Sequence, residues 1–133
     1  MQRVWRGAGQ ALVEAALVLP LAITLSLGIV QVVLYAHAHD VLVSAVEEGA
    51  RLSAEDGRSL DEGLNRARQL VTAGLGSSVE PLLVDGNRDD ELVTLRADAS
   101  LRPILPLPLP GGLPIRAVGR VVRERFRPAG GRS

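Results

Sequence analysis

The sequence predicts an α+β fold: a long N-terminal helix, a second helix, and a small antiparallel β-sheet of about three strands. Residues 15–36 contain no charged residue, and as a helix they span roughly 33 Å, enough to cross the hydrocarbon core of a membrane. Apolar and polar residues alternate over residues 93–101, which indicates a strand with one buried face. One helix in lipid and one small water-exposed domain account for the 133 residues.

The first helix is predicted to continue beyond the apolar segment. Small and apolar residues recur at three- and four-residue spacing after residue 37, namely Leu42, Ala45, Val46, Gly49 and Ala50. This spacing is typical of an amphipathic helix. We therefore expect a transmembrane helix over residues 10–36, extended as an amphipathic helix over 37–54 and broken by the sequence Glu-Asp-Gly-Arg at 55–58.

A second helix is predicted to begin after Ser59. Ser59 is a favourable N-cap, and Glu62 three residues later completes a capping box. The apolar face of this helix comprises Leu60, Leu64, Ala67, Val71 and Leu75. Gly74 and Gly76 offer the stop signal.

Three strands are predicted in the rest of the chain. Residues 79–84 form one, confined to a sheet edge by Pro81, and residues 85–90 read as a turn. The alternating segment up to 101 is the second strand, and residues 115–126 are the third. Residues 55–127 would thus form a small extracytoplasmic α+β domain, followed by a disordered tail over 128–133.

A proline-rich loop is predicted between the last two strands. Five prolines in residues 102–114 lack the N–H that a regular strand needs. The loop is also rich in leucine, which is unusual for a solvated connection. Two interpretations stay open: the leucines pack on the surface of their own domain, or they contact another subunit or partner.

The composition argues against an enzyme. The chain has no cysteine and a net charge of zero, so it offers no thiolate metal site, no cysteine nucleophile and no electrostatic reason to bind nucleic acid. His37 and His39 are two residues apart on a helix and face different directions, which makes them poor joint metal ligands. We expect no catalytic residues, no metal, no cofactor and no small-molecule substrate.

The N-terminal edge of the apolar helix carries an acidic residue that needs a partner. A carboxylate costs about 2.5–3.5 kcal/mol at the centre of a membrane helix and less near the interface. Glu14 lies five residues after Gly9, which follows a short leader containing Arg3 and Arg6. Cleavage after Gly9 would give Gln10 a free ammonium group that could pair with Glu14 of the same or a neighbouring chain. Glycine also leaves the scissile backbone open to a peptidase.

The string Gly-Gln-Ala-Leu-Val-Glu-Ala-Ala-Leu-Val-Leu-Pro from Gly9, with Glu-Gly-Ala-Arg at 48–51, resembles the TadE-like family of small pseudopilins in the Flp/Tad pilus system. The resemblance implies a leader over residues 1–9 that a membrane prepilin peptidase removes between Gly9 and Gln10. It also implies that Glu14 pairs with the new N-terminus. The partners would be other Tad pilus subunits or assembly proteins, with a role in pili used for adhesion or secretion.

Small residues would let the first helix pack closely against neighbouring pilin-like helices. These positions are Ala11, Ala15, Ala16, Ala22 and Gly28. Arg3 and Arg6 place the N-terminus in the cytoplasm by the positive-inside rule. The chain is therefore expected to be a single-pass protein of the cytoplasmic membrane, with its C-terminal domain outside the cytoplasm.

Two alternative functions follow from the same sequence. In one, the helix is an uncleaved anchor, and the domain binds a surface or envelope ligand through the proline-rich loop or through Arg116, Arg120 and Arg123. In the other, the small-x-small sequence Ala-His-Ala at 36–38 is a signal-peptidase site that releases residues 39–133. The second is disfavoured because the apolar run exceeds the usual 7–15 residues of a signal peptide and gives Glu14 no role.

Overall fold

The computed structural model describes residues 3–106, 108 and 110–123 and confirms the predicted α+β fold. Its elements are helices α1 (Arg3–Ala54) and α2 (Leu60–Leu75), a single 3₁₀ turn (Gly76–Ser78), and strands β1 (Val79–Arg88), β2 (Leu92–Leu101) and β3 (Leu113–Val122). The sheet lies on a layer formed by the two helices, with β2 and β3 over α1 and β1 against α2.

Helix α1 has two halves in different surroundings. It continues through Pro20, and its large apolar side chains up to Tyr35 are exposed, with Leu17 at 73% and Leu21 at 71%. Beyond that point the helix enters the core of the domain, where the predicted residues are buried: Leu42, Ala45, Val46, Gly49 and Ala50. The helix ends at Ala54.

Helix α2 begins with the predicted capping box. The Glu62 backbone N–H donates to Ser59 Oγ at 3.2 Å, and the Ser59 backbone N–H donates to the Glu62 carboxylate at 3.1 Å. These two bonds satisfy backbone donors that would otherwise lack partners at the helix start. Ala67 and Val71 are buried on the face that meets α1 and the sheet, and Gly76 caps the C-terminus with a φ of 53°.

Helices α1 and α2 are in close backbone contact at two glycines, Gly49 and Gly63. A Cβ atom added to Gly49 would lie 2.6 Å from the carbonyl oxygen of Gly63, and a Cβ added to Gly63 would collide with the Ser53 hydroxyl and the Gly49 carbonyl. The backbones therefore approach more closely than any larger residue permits. This contact holds α2 against the buried half of α1.

The sheet has the order β1-β2-β3, and both pairs of strands are antiparallel. Strand β1 is an edge strand, as Pro81 predicted. The turn predicted over residues 85–90 is wrong for residues 85–88, because these four pair with 93–96 as part of β1. Cross-strand hydrogen bonds satisfy the backbone of these polar residues and override their turn preference, so the turn is confined to residues 89–91.

The buried face of the sheet completes the core. Every predicted inward residue of β2 is buried: Val93, Leu95, Ala97, Ala99 and Leu101. Ile115 and Ala117 of β3 join them, and at Gly119 an added Cβ would lie 2.7 Å from the carbonyl oxygen of Val46. Strand β3 begins at Leu113, two residues before the predicted start, and it ends at Val122, so the predicted strand is wrong at residue 123. Residues 124–126 of that prediction and the tail predicted over 128–133 lie outside the described residues.

We predict that Gly63→Ala weakens the domain even though alanine favours a helix by about 1 kcal/mol. The added methyl group meets backbone and hydroxyl atoms that cannot move independently, so the free energy of opening should fall by about 2 kcal/mol. Hydrogen exchange of the β2 amides in the full chain in detergent should then be roughly 30-fold faster.

Gly74→Ala is the matched control in the same helix. Its added Cβ meets a methyl group of Val41 at 2.8 Å rather than backbone, and this methyl group can shift. We expect a change below about 1 kcal/mol. Equal exchange rates in the two variants would contradict the assigned contact between α1 and α2.

Candidate functional site

The peptide bond between Gly9 and Gln10 lies in the exposed first part of α1. Both residues are exposed, and a Cβ added to Gly9 would meet nothing within 4 Å. A peptidase can hydrolyse this bond only after the local helix unwinds. Gly9 weakens the helix at this bond by about 1 kcal/mol relative to alanine, which makes unwinding easier here.

Glu14 lies one helical turn beyond the start that cleavage would create. Its side chain is exposed, and in the described part of the chain no hydrogen bond or ion pair involves it. Side chains on a helix lean toward its N-terminus. The side chain of Glu14 can therefore reach the backbone nitrogen of Gln10, four residues earlier.

The small residues of α1 do not all share one face. With about 3.6 residues per turn, Ala11, Ala15 and Ala22 fall within a narrow stripe, whereas Ala16 and Gly28 fall on other sides. All these alanines are exposed. The same helical period places the stripe on the side of α1 opposite Ala38 and Leu42, where the domain packs. We call Ala11, Ala15 and Ala22 the alanine stripe.

The outer face of the sheet holds two of the three arginines predicted for partner contact. Arg116 donates from Nε to Asp98 at 2.7 Å, and both side chains are more than half exposed, at 84% and 51%. Such a surface pair contributes about 0–1 kcal/mol. Arg120 lies beside Arg96 in a shallow hollow that also contains Asp85.

Arg123 is not part of this outer face. It follows the end of β3, and its Nε group is buried without a hydrogen-bond partner in the described part of the chain, whereas Arg116 and Arg120 are exposed. Its backbone N–H donates to the Glu91 carbonyl at 2.8 Å. The structure therefore groups Arg116 and Arg120 with Arg96, which the sequence reasoning had not included.

A loop contact on α1 was missing from the sequence predictions. The Ile104 N–H donates to Gln31 Oε1 at 2.7 Å, and the Tyr35 hydroxyl donates to the Pro114 carbonyl at 3.2 Å. Gln31 is only 7% exposed although it lies in the uncharged segment. A lone amide side chain within this apolar run was the signal in the sequence.

The loop contact leaves one polar group without a partner. Gln31 Nε2 is buried and makes no hydrogen bond in the described part of the chain. The orientation of the amide is fixed because its oxygen accepts from Ile104. The start of the proline-rich loop thus packs on its own chain, at the end of the exposed part of α1.

Helix α1 is the described helix that is long and apolar enough to cross a membrane. The candidate segment is Gly9–Ala54, and its most apolar window has a mean hydropathy of 2.4 with 6% of its residues buried. A window so exposed is unlike the core helix of a water-soluble domain, and its place near the N-terminus is one that a signal sequence shares.

Comparison with protein families agrees with the resemblance noted in the sequence. Residues 9–51 match the family model described as TadE-like protein. The match begins at Gly9 and covers the exposed part of α1 together with most of its buried part. Comparison with curated proteins and with solved structures gives no match.

We predict that Gln31→Leu releases the start of the proline-rich loop from α1. The substitution keeps an apolar side chain of similar size and removes the acceptor of the Ile104 N–H. Loss of this hydrogen bond, worth about 1 kcal/mol, should speed exchange of the Ile104 amide by about tenfold. Hydrogen exchange of the full chain in detergent measures this rate.

Gln69→Leu provides the control, because Gln69 is an exposed amide on α2. We expect it to leave exchange at Ile104 unchanged. If both variants exchange at the wild-type rate, the hydrogen bond between Gln31 and Ile104 does not hold the loop.

Proposed function

We propose that the chain is a pseudopilin-like membrane subunit involved in the assembly of Flp/Tad-type pili, processed by a prepilin peptidase between Gly9 and Gln10. The observation that carries the proposal is the match of residues 9–51 to the TadE-like family, in a helix whose first half is exposed and whose second half forms the domain core. The proposed location is the cytoplasmic membrane, with the N-terminus in the cytoplasm.

The surroundings of the cleavage site support processing. Gly9 is exposed and has open space around its Cα, so the backbone is accessible from outside the helix. Glu14 has no partner in the described part of the chain. A free ammonium group on Gln10 would supply one, and would offset the cost of placing a carboxylate near lipid.

The position of the domain on α1 supports assembly through the helix. The domain covers one side of α1, and the alanine stripe faces away from it. Small residues allow close packing of helices in lipid, where association depends on van der Waals contact rather than on the hydrophobic effect. Neighbouring pilin-like helices can therefore reach this stripe without displacing the domain.

Burial of Ala38 argues against release of a soluble domain by signal peptidase. Ala38 is 1% exposed and lies within the continuous helix α1. Cleavage after it would cut through the core and separate Gln31 and Tyr35 from the loop that they bind. The second candidate function is an uncleaved membrane anchor whose domain binds a ligand. The exposed arginines Arg96, Arg116 and Arg120 on the outer face of the sheet favour it, because they could bind an acidic ligand.

We predict that Gly9→Leu blocks processing. The leucine side chain would occupy the open space through which the peptidase reaches the scissile bond. Intact-mass spectrometry of membrane extracts should detect the 133-residue precursor in place of a product that begins at Gln10. Gly7→Leu is the control, since Gly7 is an equally exposed glycine of the same helix, and it should be processed normally.

Product of normal mass from Gly9→Leu would overturn the assigned cleavage site. Mature wild-type protein that still begins at Met1 in cells with an active peptidase would reject processing altogether. A product that begins at His39 would favour release of the soluble domain.

We predict that Glu14→Gln impairs assembly while leaving membrane insertion intact. The substitution keeps the shape of the side chain and removes the charge that pairs with the new N-terminus. Recovery of Tad pilus subunits with the variant after cross-linking should fall by about tenfold, the equivalent of about 1.4 kcal/mol. Glu47→Gln changes an exposed glutamate in the domain half of α1 and should have no effect. Wild-type recovery with Glu14→Gln would favour the uncleaved anchor.

A further inference from the structure

We infer that the start of the loop between β2 and β3 forms a second contact with the membrane, in which Pro103, Ile104 and Leu105 lie against the lipid of the outer leaflet. The inference rests on the proposed spanning of the membrane by α1. Its partner is a lipid surface, and it deepens the function by fixing how the domain sits on the membrane.

The depth of the loop follows from the length of α1. A hydrocarbon core of about 30 Å takes about 20 helical residues. Counted from Ala15, the first residue after Glu14, these end at Leu34. Gln31 and Tyr35 of α1 make hydrogen bonds to the loop. The loop therefore meets the helix at the boundary of the hydrocarbon core. If the helix is tilted, more of its residues are needed to cross the hydrocarbon core, and the loop then lies deeper in the membrane.

The chemistry of the loop suits this depth. Residues 103–115 carry no charge and include five prolines. Each proline removes one N–H that would be costly without a partner in lipid. The N–H of Ile104 has a partner supplied from within the apolar segment, the Gln31 amide oxygen. Both features lower the cost of placing irregular backbone at the edge of a membrane.

The exposed side chains are continuous with the surface of α1 that faces lipid. Ile104 is 52% exposed and Leu34 is 38% exposed, and both line one groove between α1, the end of α2 and the loop. Arg102 and His37 also line this groove. Arg102 lies 3.9 Å from the Glu80 carboxylate, and both side chains are exposed, at 73% and 76%. A surface pair of this kind is weak, so the Arg102 guanidinium can exchange it for lipid phosphates while its stem follows the apolar surface.

The buried amide of Gln31 is a second observation at the same place. Its Nε2 group has no partner in the described part of the chain. The oxygen of the same amide accepts from the Ile104 N–H, and this bond keeps the loop against α1 at the depth where the apolar segment ends.

The test uses spin labels on single cysteines, because the natural chain has none. The full chain is reconstituted in phosphatidylcholine and phosphatidylglycerol vesicles with a label at Ile104→Cys, Ile23→Cys or Val122→Cys. Val122 is an apolar residue with 69% exposure at the opposite end of the sheet, which makes it the matched control. Leu105→Cys repeats the measurement beside Ile104 in case one label disturbs the loop.

We expect the ratio of oxygen to nickel-complex accessibility at positions 104 and 23 to exceed that at 122 by about tenfold, since the polar nickel complex is excluded from hydrocarbon. A ratio at 104 and 105 equal to that at 122, with a high ratio at 23, overturns the loop contact and leaves the membrane span intact. A low ratio at 23 rejects the span itself.

Two further outcomes would reject lipid as the partner. Protection of position 104 from both reagents, together with spin coupling between copies, assigns the loop to a subunit contact. Protection from both reagents without such coupling assigns it to packing within one chain.

Discussion

A single continuous helix forms both the exposed apolar segment and the centre of the domain core, and the rest of the structure depends on this continuity. The first half of α1 exposes apolar side chains, while the second half places Ala38, Leu42 and Val46 at the centre of the domain core. No flexible linker separates the halves, because α1 is continuous from Arg3 to Ala54. The rotation and depth of the helix in a membrane therefore set the orientation of the domain directly.

Close backbone contacts around the buried half of α1 hold the domain in one position on the helix. Gly49 and Gly63 bring the two helix backbones together, and Gly119 brings β3 onto the Val46 carbonyl. Contacts of this kind tolerate little sliding, because a shift of one residue would drive side chains into backbone. The alanine stripe thus keeps a fixed relation to the outer face of the sheet. The alanine stripe and the outer face with Arg96, Arg116 and Arg120 therefore lie on opposite sides of the protein.

The uncharged segment of α1 contains a few polar side chains, and each of them forms a hydrogen bond. Thr24 and Ser26 donate their hydroxyl groups to carbonyls one turn earlier, each at 2.8 Å, and so need no partner outside the helix. Gln31 and Tyr35 instead bind the loop that joins β2 to β3. The hydroxyl groups in the middle of the apolar segment are thus satisfied within the helix, and the polar side chains near its end hold the domain against α1.

The sequence alone was sufficient for α1, for the capping box of α2 and for the alternating strand β2, because local periodicity and hydrogen-bonding patterns determine these features. The motif of Gly9 and Glu14 could also be recognised from the sequence, because it depends only on residue type and on spacing along the chain. Only the tertiary structure could show that residues 85–88 pair in a strand despite their turn composition, that Arg123 lies apart from Arg116 and Arg120, and that Gln31 binds Ile104, 73 residues away. These outcomes depend on which backbone groups meet across the fold, and a hydrogen bond between distant residues leaves no periodic trace in either segment.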